Sequence, residues 1–221
     1  MPVKAYVFDA YGTLFDVHAA IGRHRAAVGP DADRFSELWR TKQLEYSWTL
    51  TLMGRYESFW TLTGRALDFV FARFPKVDRN LRASLLDAYY KLDAYPDARP
   101  ALAKLKAESH ATAILSNGST DMLEAAVKGA KLHDVFDHVL SVDAVRTFKP
   151  LPKVYDLAIN ALGVKADEIA FVSSNRWDVA GAAHAGLKPI WVNRGGNPDE
   201  YPDLGPVAVI RSLAEVAGLS L

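Results

Sequence analysis

Short apolar runs rich in β-forming residues recur along this chain, and helical patterns separate them. Residues 3–8, 111–115, 169–172, 188–192 and 207–210 read as strands. An uninterrupted apolar run is what a strand covered on both faces requires, because both alternating sets of side chains are buried. Helical patterns occupy residues 99–108, 120–131, 153–162, 178–185 and 212–217. Strand, helix and strand in succession need a crossover, and repeated crossovers build a parallel, doubly wound α/β sheet. Residues 16–95 interrupt this alternation. They are rich in aromatics, including Trp39, Tyr46, Trp48, Trp60, Phe69, Phe71 and Phe74, and show helical rather than strand periodicity. The stretch reads as an all-helical insertion after the first strand, and Pro96 begins the return to the sheet.

Open parallel sheets bind ligands beyond the carboxyl ends of their strands. Three of those ends are polar here: Asp9 and Thr13, then Ser116 and Asn117, then Ser173, Ser174, Asn175 and Asp178. A fourth polar element, residues 147–150 with Lys149, follows the apolar segment 139–142. Their convergence is the main functional signal, and a helical insertion after the first strand could close over the site and exclude water.

Each residue has a chemical reading and a plainer one. Asp9 can act as a covalent nucleophile through its carboxylate, or can simply cap a turn. Lys149 can neutralise and orient Asp9, or can be a solvated lysine beside Pro150. Ser116 and Asn117 can donate to a substrate anion together with backbone N–H groups at the next helix start. The plainer alternative is that Ser119 or a neighbour caps that helix. Asp178 can be a second catalytic carboxylate, or a favourable charge in a first helical turn. Taken together, the companions favour the chemical reading of Asp9.

Composition removes other classes. Lys and Arg number 26 and Asp and Glu number 26, so the formal net charge is zero and there is no basic excess to grip nucleic acid or an anionic membrane. No apolar run approaches the roughly 18 residues of a membrane-spanning helix. Asp9 interrupts the first apolar run too early for a signal peptide, so a cytoplasmic location is expected. With no cysteine, thiolate and disulfide chemistry are excluded. The six histidines show no ligand spacing. No phosphate-cradling glycine loop follows a strand, and Arg194-Gly195-Gly196-Asn197-Pro198 reads as a turn.

Four motifs carry a family resemblance: Asp9-Ala10-Tyr11-Gly12-Thr13-Leu14, Ser116-Asn117-Gly118, Phe148-Lys149-Pro150 and Val172-Ser173-Ser174-Asn175-Arg176-Trp177-Asp178. In order and spacing they resemble the haloacid dehalogenase superfamily over nearly the whole chain, and within it the L-2-haloacid dehalogenases most of all. The resemblance implies a Rossmann-like core, residues 1–15 and 96–221, with a helical cap domain, residues 16–95. Phosphatases of that superfamily carry a general-acid Asp two residues after the nucleophile, where this chain has Tyr11, a phenol with an ordinary pKa of about 10. They also carry an acidic magnesium ligand in the last motif, where this chain has Ser174. An alkoxide leaving group needs a proton and a halide does not. We therefore expect dehalogenation without metal or cofactor, with a magnesium-dependent phosphatase or a non-catalytic acid-binding protein as the alternatives.

The implied reaction converts short L-2-haloalkanoic acids to D-2-hydroxy acids and halide. Asp9 would attack C2, and water would then hydrolyse the Asp9 ester. Thr13 and Lys149 would orient Asp9, while Asp178 would activate the water with help from Ser173, Asn175 and Lys149. Ser116 would hold the substrate carboxylate. Arg40, with Asn117 and Trp177, would cradle the departing halide. On a helix Arg40 and Leu44 share a face. The implied substrate-binding set is Ala10, Tyr11, Arg40, Leu44, Phe59, Ser116, Asn117 and Trp177. A homodimer is also implied. Arg176 departs from the family pattern, and is expected either to face solvent or to add positive potential at the site.

Overall fold

The computed structural model describes residues 2–221. Its centre is one sheet of six strands: β1 (Ala5–Phe8), β2 (Ala111–Ser116), β3 (His138–Ser141), β4 (Ile169–Ser173), β5 (Lys188–Val192) and β6 (Ala208–Ile210). They lie in the order β3-β2-β1-β4-β5-β6, and every pairing is parallel. The first strand is therefore central. Phe8 stands opposite Ile114 of β2 on one side and Val172 of β4 on the other. All four residues of β1 are buried, as an uninterrupted apolar strand demands. The strand order reverses at β1, so the carboxyl ends of β1, β2 and β4 lie side by side at the switch point.

Between β1 and β2 come α1 (Ala19–Arg23), α2 (Arg25–Val28), α3 (Ala32–Leu52), α4 (Phe59–Arg73) and α5 (Arg82–Tyr90), then α6 (Ala98–Ala107). The crossovers and the flank of the sheet are completed by α7 (Thr120–Gly129), α8 (Pro152–Leu162) and α9 (Arg176–His184). The helical insertion leaves and rejoins the sheet region at one place: the Tyr95 N–H donates to the Leu14 carbonyl at 2.8 Å, and the Asp16 N–H to the Asp93 carbonyl at 3.0 Å. Its backbone is α3 packed on α4. Trp39 inserts between them and donates its indole N–H to the Thr63 carbonyl at 3.0 Å, and Phe35 is fully buried. Aromatic pairs join the insertion to the sheet region, with ring centroids 5.4 Å apart for Trp48 and Trp177 and 5.1 Å for Tyr56 and Phe148.

Element ends shift by one or two residues from the sequence pattern, as α9 at Arg176–His184 and α7 at Thr120–Gly129 do, and three differences stand out. Of the apolar segment 139–142, residues 139–141 belong to a sixth strand, β3, which as an edge strand buries only Ser141, and Val142 opens a 3₁₀ turn. Residues 212–217 do not form an α-helix: Leu213–Gly218 is a 3₁₀ helix, opened by the Ser212 hydroxyl, which accepts from the Ala214 N–H. The first strand begins at Ala5 rather than Val3, although the Lys4 N–H still donates at 2.8 Å to the Glu168 carbonyl, next to β4.

Candidate active site

Asp9 follows β1 directly, and its N–H extends the sheet ladder to the Val172 carbonyl at 2.9 Å. That fixes its backbone, and three donors fix its carboxylate, in a side chain that is only 7% exposed. Thr13 Oγ1 donates to Asp9 Oδ2 at 3.0 Å and Asn175 Nδ2 to the same oxygen at 2.8 Å. Thr13 Oγ1 accepts from the Ser174 N–H at 2.8 Å, which leaves its own proton for Asp9. The third donor, Lys149 Nζ, reaches Oδ1 at 3.2 Å.

Lys149 is fully buried and lies between two carboxylates, with Asp178 Oδ2 at 2.9 Å from Nζ. An ammonium taken out of water needs such partners. Asp178 sits in the first turn of α9, so it has the helix-terminus position and the charge contact together. Ser173 Oγ also donates to it at 3.2 Å. Burial pushes the Asp178 carboxyl up to about 6; the Lys149 ammonium pulls it down and the Asp9 charge raises it again. Among the described residues no three His, Cys, Asp or Glu side chains gather at one point.

The end of β2 supplies the next wall. Ser116 Oγ accepts from the Gly118 N–H at 3.0 Å. A Cβ on Gly118 would stand 2.6 Å from the Tyr11 ring, so this close approach needs glycine. Asn117 Oδ1 accepts from the Lys149 N–H at 2.9 Å, which orients the amide and leaves its buried Nδ2 without a partner. Arg40 comes from α3. Its Nη2 donates to the Tyr11 carbonyl at 3.2 Å, while its buried Nη1 has no partner. Among the described residues no carboxylate pairs with Arg40.

These groups close around one small cavity, lined by Asp9, Tyr11, Arg40, Leu44, Phe59, Ser116, Asn117 and Trp177. A carboxylate lies on its wall, and two unpartnered N–H donors, from Arg40 and Asn117, are buried with it. The remainder of the lining is aromatic or aliphatic apart from Ser116. That arrangement suits an anion of developing charge beside a nucleophile in a site with little water.

Residues 3–186 match the family model of haloacid dehalogenase-like hydrolases. The chain belongs to this family. Over 221 residues, all of this chain and 97% of the other, it is 47% identical to (S)-2-haloacid dehalogenase 1 of Pseudomonas sp. (strain CBS-3). It is also 47% identical to (S)-2-haloacid dehalogenase 4A of Burkholderia cepacia, over 97% of this chain and 93% of that one. Among solved structures, L-2-haloacid dehalogenase from Xanthobacter autotrophicus with chloropropionic acid covalently bound superposes with a TM-score of 0.87, at 38% identity and 98% coverage of both chains.

Within this haloacid dehalogenase-like hydrolase, the residues singled out from the sequence fall in three groups. Asp9, Thr13, Lys149, Ser173, Asn175 and Asp178 form one hydrogen-bonded cluster. Tyr11, Arg40, Leu44, Phe59, Ser116, Asn117 and Trp177 line the cavity with Asp9. Ala10 is buried but not in the lining; its carbonyl instead accepts the N–H groups that form the turn after β1. Asn175, expected beside Asp178, holds Asp9 through its side chain and meets Ser173 only through its backbone N–H.

Arg176 does not face solvent, one of the two positions expected of it. It is buried, pairs with Asp199, donates to the Tyr201 and Leu204 carbonyls, and so pins the loop after β5. Tyr155 on α8 is a site residue that the motifs do not reveal. Its hydroxyl donates to Asp178 Oδ1 at 2.7 Å, and burial together with the Asp178 charge pushes the phenol well up, so it remains a donor. Its only trace in the sequence is a hydroxyl on a buried helix face, which must find a partner.

Proposed function

We propose that this chain hydrolyses short L-2-haloalkanoic acids to D-2-hydroxy acids and halide through an ester on Asp9. The observation that carries the reading is the cavity itself: an oriented, desolvated carboxylate at one wall, with the unpartnered donors of Arg40 and Asn117 in the same lining. The names of its relatives point to the same substrates.

The hydrogen bonds assign the two oxygens of Asp9. Oδ2 is taken by Thr13 and Asn175, whereas Oδ1 has only the longer contact to Lys149. Oδ1 is the freer lone-pair donor and attacks C2 of the haloacid from the side opposite the halogen. The C–O bond forms as the carbon–halogen bond breaks, and the halide leaves with the bonding pair toward Arg40, Asn117 and Trp177. Ser116 and neighbouring backbone N–H groups hold the substrate carboxylate, with Tyr11, Leu44, Phe59 and Trp177 around the alkyl group.

Asp178 then takes a proton from water, whose oxygen attacks the Asp9 carbonyl carbon. Oδ2 becomes the oxyanion of the tetrahedral intermediate, already faced by Thr13 and Asn175. Cleavage of the acyl–oxygen bond expels the alkoxide, which takes the proton from Asp178 and leaves as the hydroxy acid; the Asp9 carboxyl then gives up the second proton of the water to solvent and is a carboxylate again. C2 inverts once, so an L-haloacid gives a D-hydroxy acid. Positioning of this kind contributes roughly 7–11 kcal/mol to such reactions.

The same reading takes residues 1–15 and 96–221 as the core and residues 16–95 as a cap that supplies Arg40, Leu44 and Phe59. A cytoplasmic homodimer completes it. Among the described residues no helix is long and apolar enough to cross a membrane. Leu52 and Met53 at the end of α3 expose apolar surface of the kind a subunit contact covers.

The test is halide release from L- and D-2-chloropropionate, with EDTA present, by the wild type and Asp9→Ala. L-selective release that vanishes in the variant is expected. Release from neither enantiomer would overturn the reading.

A further inference from the structure

Arg40 carries a full charge in a half-buried position, yet its one hydrogen-bond partner among the described residues is neutral, the Tyr11 carbonyl. A series of hydrogen bonds starts at Thr63 on α4, whose Oγ1 donates to the Phe59 carbonyl at 2.8 Å, one helical turn back. That bond consumes its proton, so Thr63 Oγ1 can only accept from Gln43. Gln43 Nε2 supplies the bond at 3.0 Å, which fixes the amide with its oxygen on the other side. Gln43 Oε1 in turn accepts the Tyr89 hydroxyl proton at 3.3 Å. Every donor in the series is committed in one direction, and the last oxygen, that of Tyr89, keeps its lone pairs.

Gln43 lies three residues after Arg40 on α3, a spacing that puts the two on the same helix face. The Tyr89 ring is stacked on the Tyr11 ring at 5.9 Å with 6° between the planes, and its hydroxyl is held by Gln43, so Tyr89 touches both Tyr11, whose carbonyl holds Arg40, and a residue on the Arg40 face of α3. We propose that Tyr89 and Gln43 are positioning residues for Arg40: the Thr63–Gln43–Tyr89 series presents a neutral oxygen to the guanidinium and holds it in the reaction cavity without neutralising it. Burial pushes the Tyr89 phenol up and the Arg40 charge pulls it back, as expected of a phenol oxygen facing a cation.

The design logic is electrostatic. A carboxylate in the place of Tyr89 would bind Arg40 more tightly, but it would compete with the departing anion for the same charge. A phenol oxygen orients the cation without giving it an ion-pair partner. Gln43 is 0% exposed and Tyr89 2%; polar groups at such depth are costly unless every one is satisfied, and here the series satisfies them in turn.

The inference rests on the dehalogenase reading, and wild-type turnover separates the two: a wild type that releases no halide overturns that reading and this one with it. Given an active wild type, kcat/KM is measured for L-2-chloropropionate and L-2-bromopropionate in Tyr89→Phe, which removes the oxygen and keeps the ring. Loss of an oriented donor at the leaving group costs most where the leaving group is poorest. We expect the chloride value to fall about ten- to hundredfold. The bromide value falls less, so the chloride-to-bromide ratio drops. Gln43→Leu and Thr63→Val shift the ratio in the same direction, and Tyr89→Phe/Gln43→Leu is no worse than Tyr89→Phe alone, because the residues act in series. An unchanged ratio in a folded Tyr89→Phe, or equal slowing of both substrates, would overturn the proposal. Should Tyr89→Phe fail to fold, the ratio in Gln43→Leu and Thr63→Val decides.

Discussion

Lys149, Tyr155 and Ser173 all converge on Asp178, so its carboxylate is held in place by three donors, from the turn before α8, from α8 and from β4. If Asp178 takes the water proton, Asp178→Asn blocks the second half of the reaction and spares the first. We expect that variant to release about one halide per site in a burst and to retain a stable adduct on Asp9, seen as a mass increase on the peptide containing it. Steady release without an adduct would assign the base elsewhere. At this scale the sequence is informative where function and strand ends coincide. Asp9, Ser116, Lys149 and Asp178 stand next to apolar runs or in polar turns, where a buried polar side chain has no structural reason to be. Tyr155 is not legible, because an aromatic on the apolar face of α8 looks like any core residue until the fold brings Asp178 against its hydroxyl. Arg176 is not legible either, since its partners Asp199, Tyr201 and Leu204 lie in a loop with no sequence period.

Among the elements, α3 does the most to assemble the cavity. Arg40 and Leu44 recur one turn apart on it and both line the cavity, while Trp48, one turn further, meets Trp177. The helix α4 starts at Phe59 because Ser58 caps it, accepting the Thr61 N–H, and this start places the Phe59 ring against Phe148 and Tyr11. Phe59 is fully buried, so truncation removes both apolar burial and packing. Phe59→Ala should destabilise the fold by about 3–5 kcal/mol, read from urea denaturation. A change under about 1 kcal/mol would mean that the ring is not part of the packed core. Central strands are legible because burial on both faces makes them continuously apolar. The edge strand β3 is less so: Val139 faces solvent and the run is short. The type of the last helical turns is not legible, because six residues span too few turns to separate a period of 3.0 from one of 3.6.

The whole chain balances 26 basic against 26 acidic residues, and the site repeats that balance on a small scale. Asp9 and Asp178 face Lys149, and Arg40 completes two positive charges against two negative. The insertion contributes Arg40 and the sheet region the other three, so neutrality is reached only where the two meet. Tyr56 and Asp143 are hydrogen-bonded across that junction, and Tyr90 donates to the Asp121 carbonyl at 3.1 Å. Because one ammonium serves two carboxylates, the state of either is felt by the other. Ionised Asp9 is one of the influences that hold the Asp178 pKa high, near 6 in the resting protein. In the proposed reaction, conversion of Asp9 to an ester deletes that negative neighbour and leaves Lys149 to Asp178 alone. The Asp178 pKa then falls, and if Asp178 is the base it is fully ionised at the moment a base is required. The direction of the effect is fixed by sign: a raised carboxyl pKa means loss of the basic form as pH falls through about 6, and a lowered one moves that loss to more acidic pH. Single-turnover hydrolysis of the ester should therefore keep its rate below pH 6, while direct titration of Asp178 in the free protein shows its midpoint near 6. Coincident midpoints would mean that the two carboxylates are independent. The shared lysine would thus act as a clock, with completion of the first step arming the second.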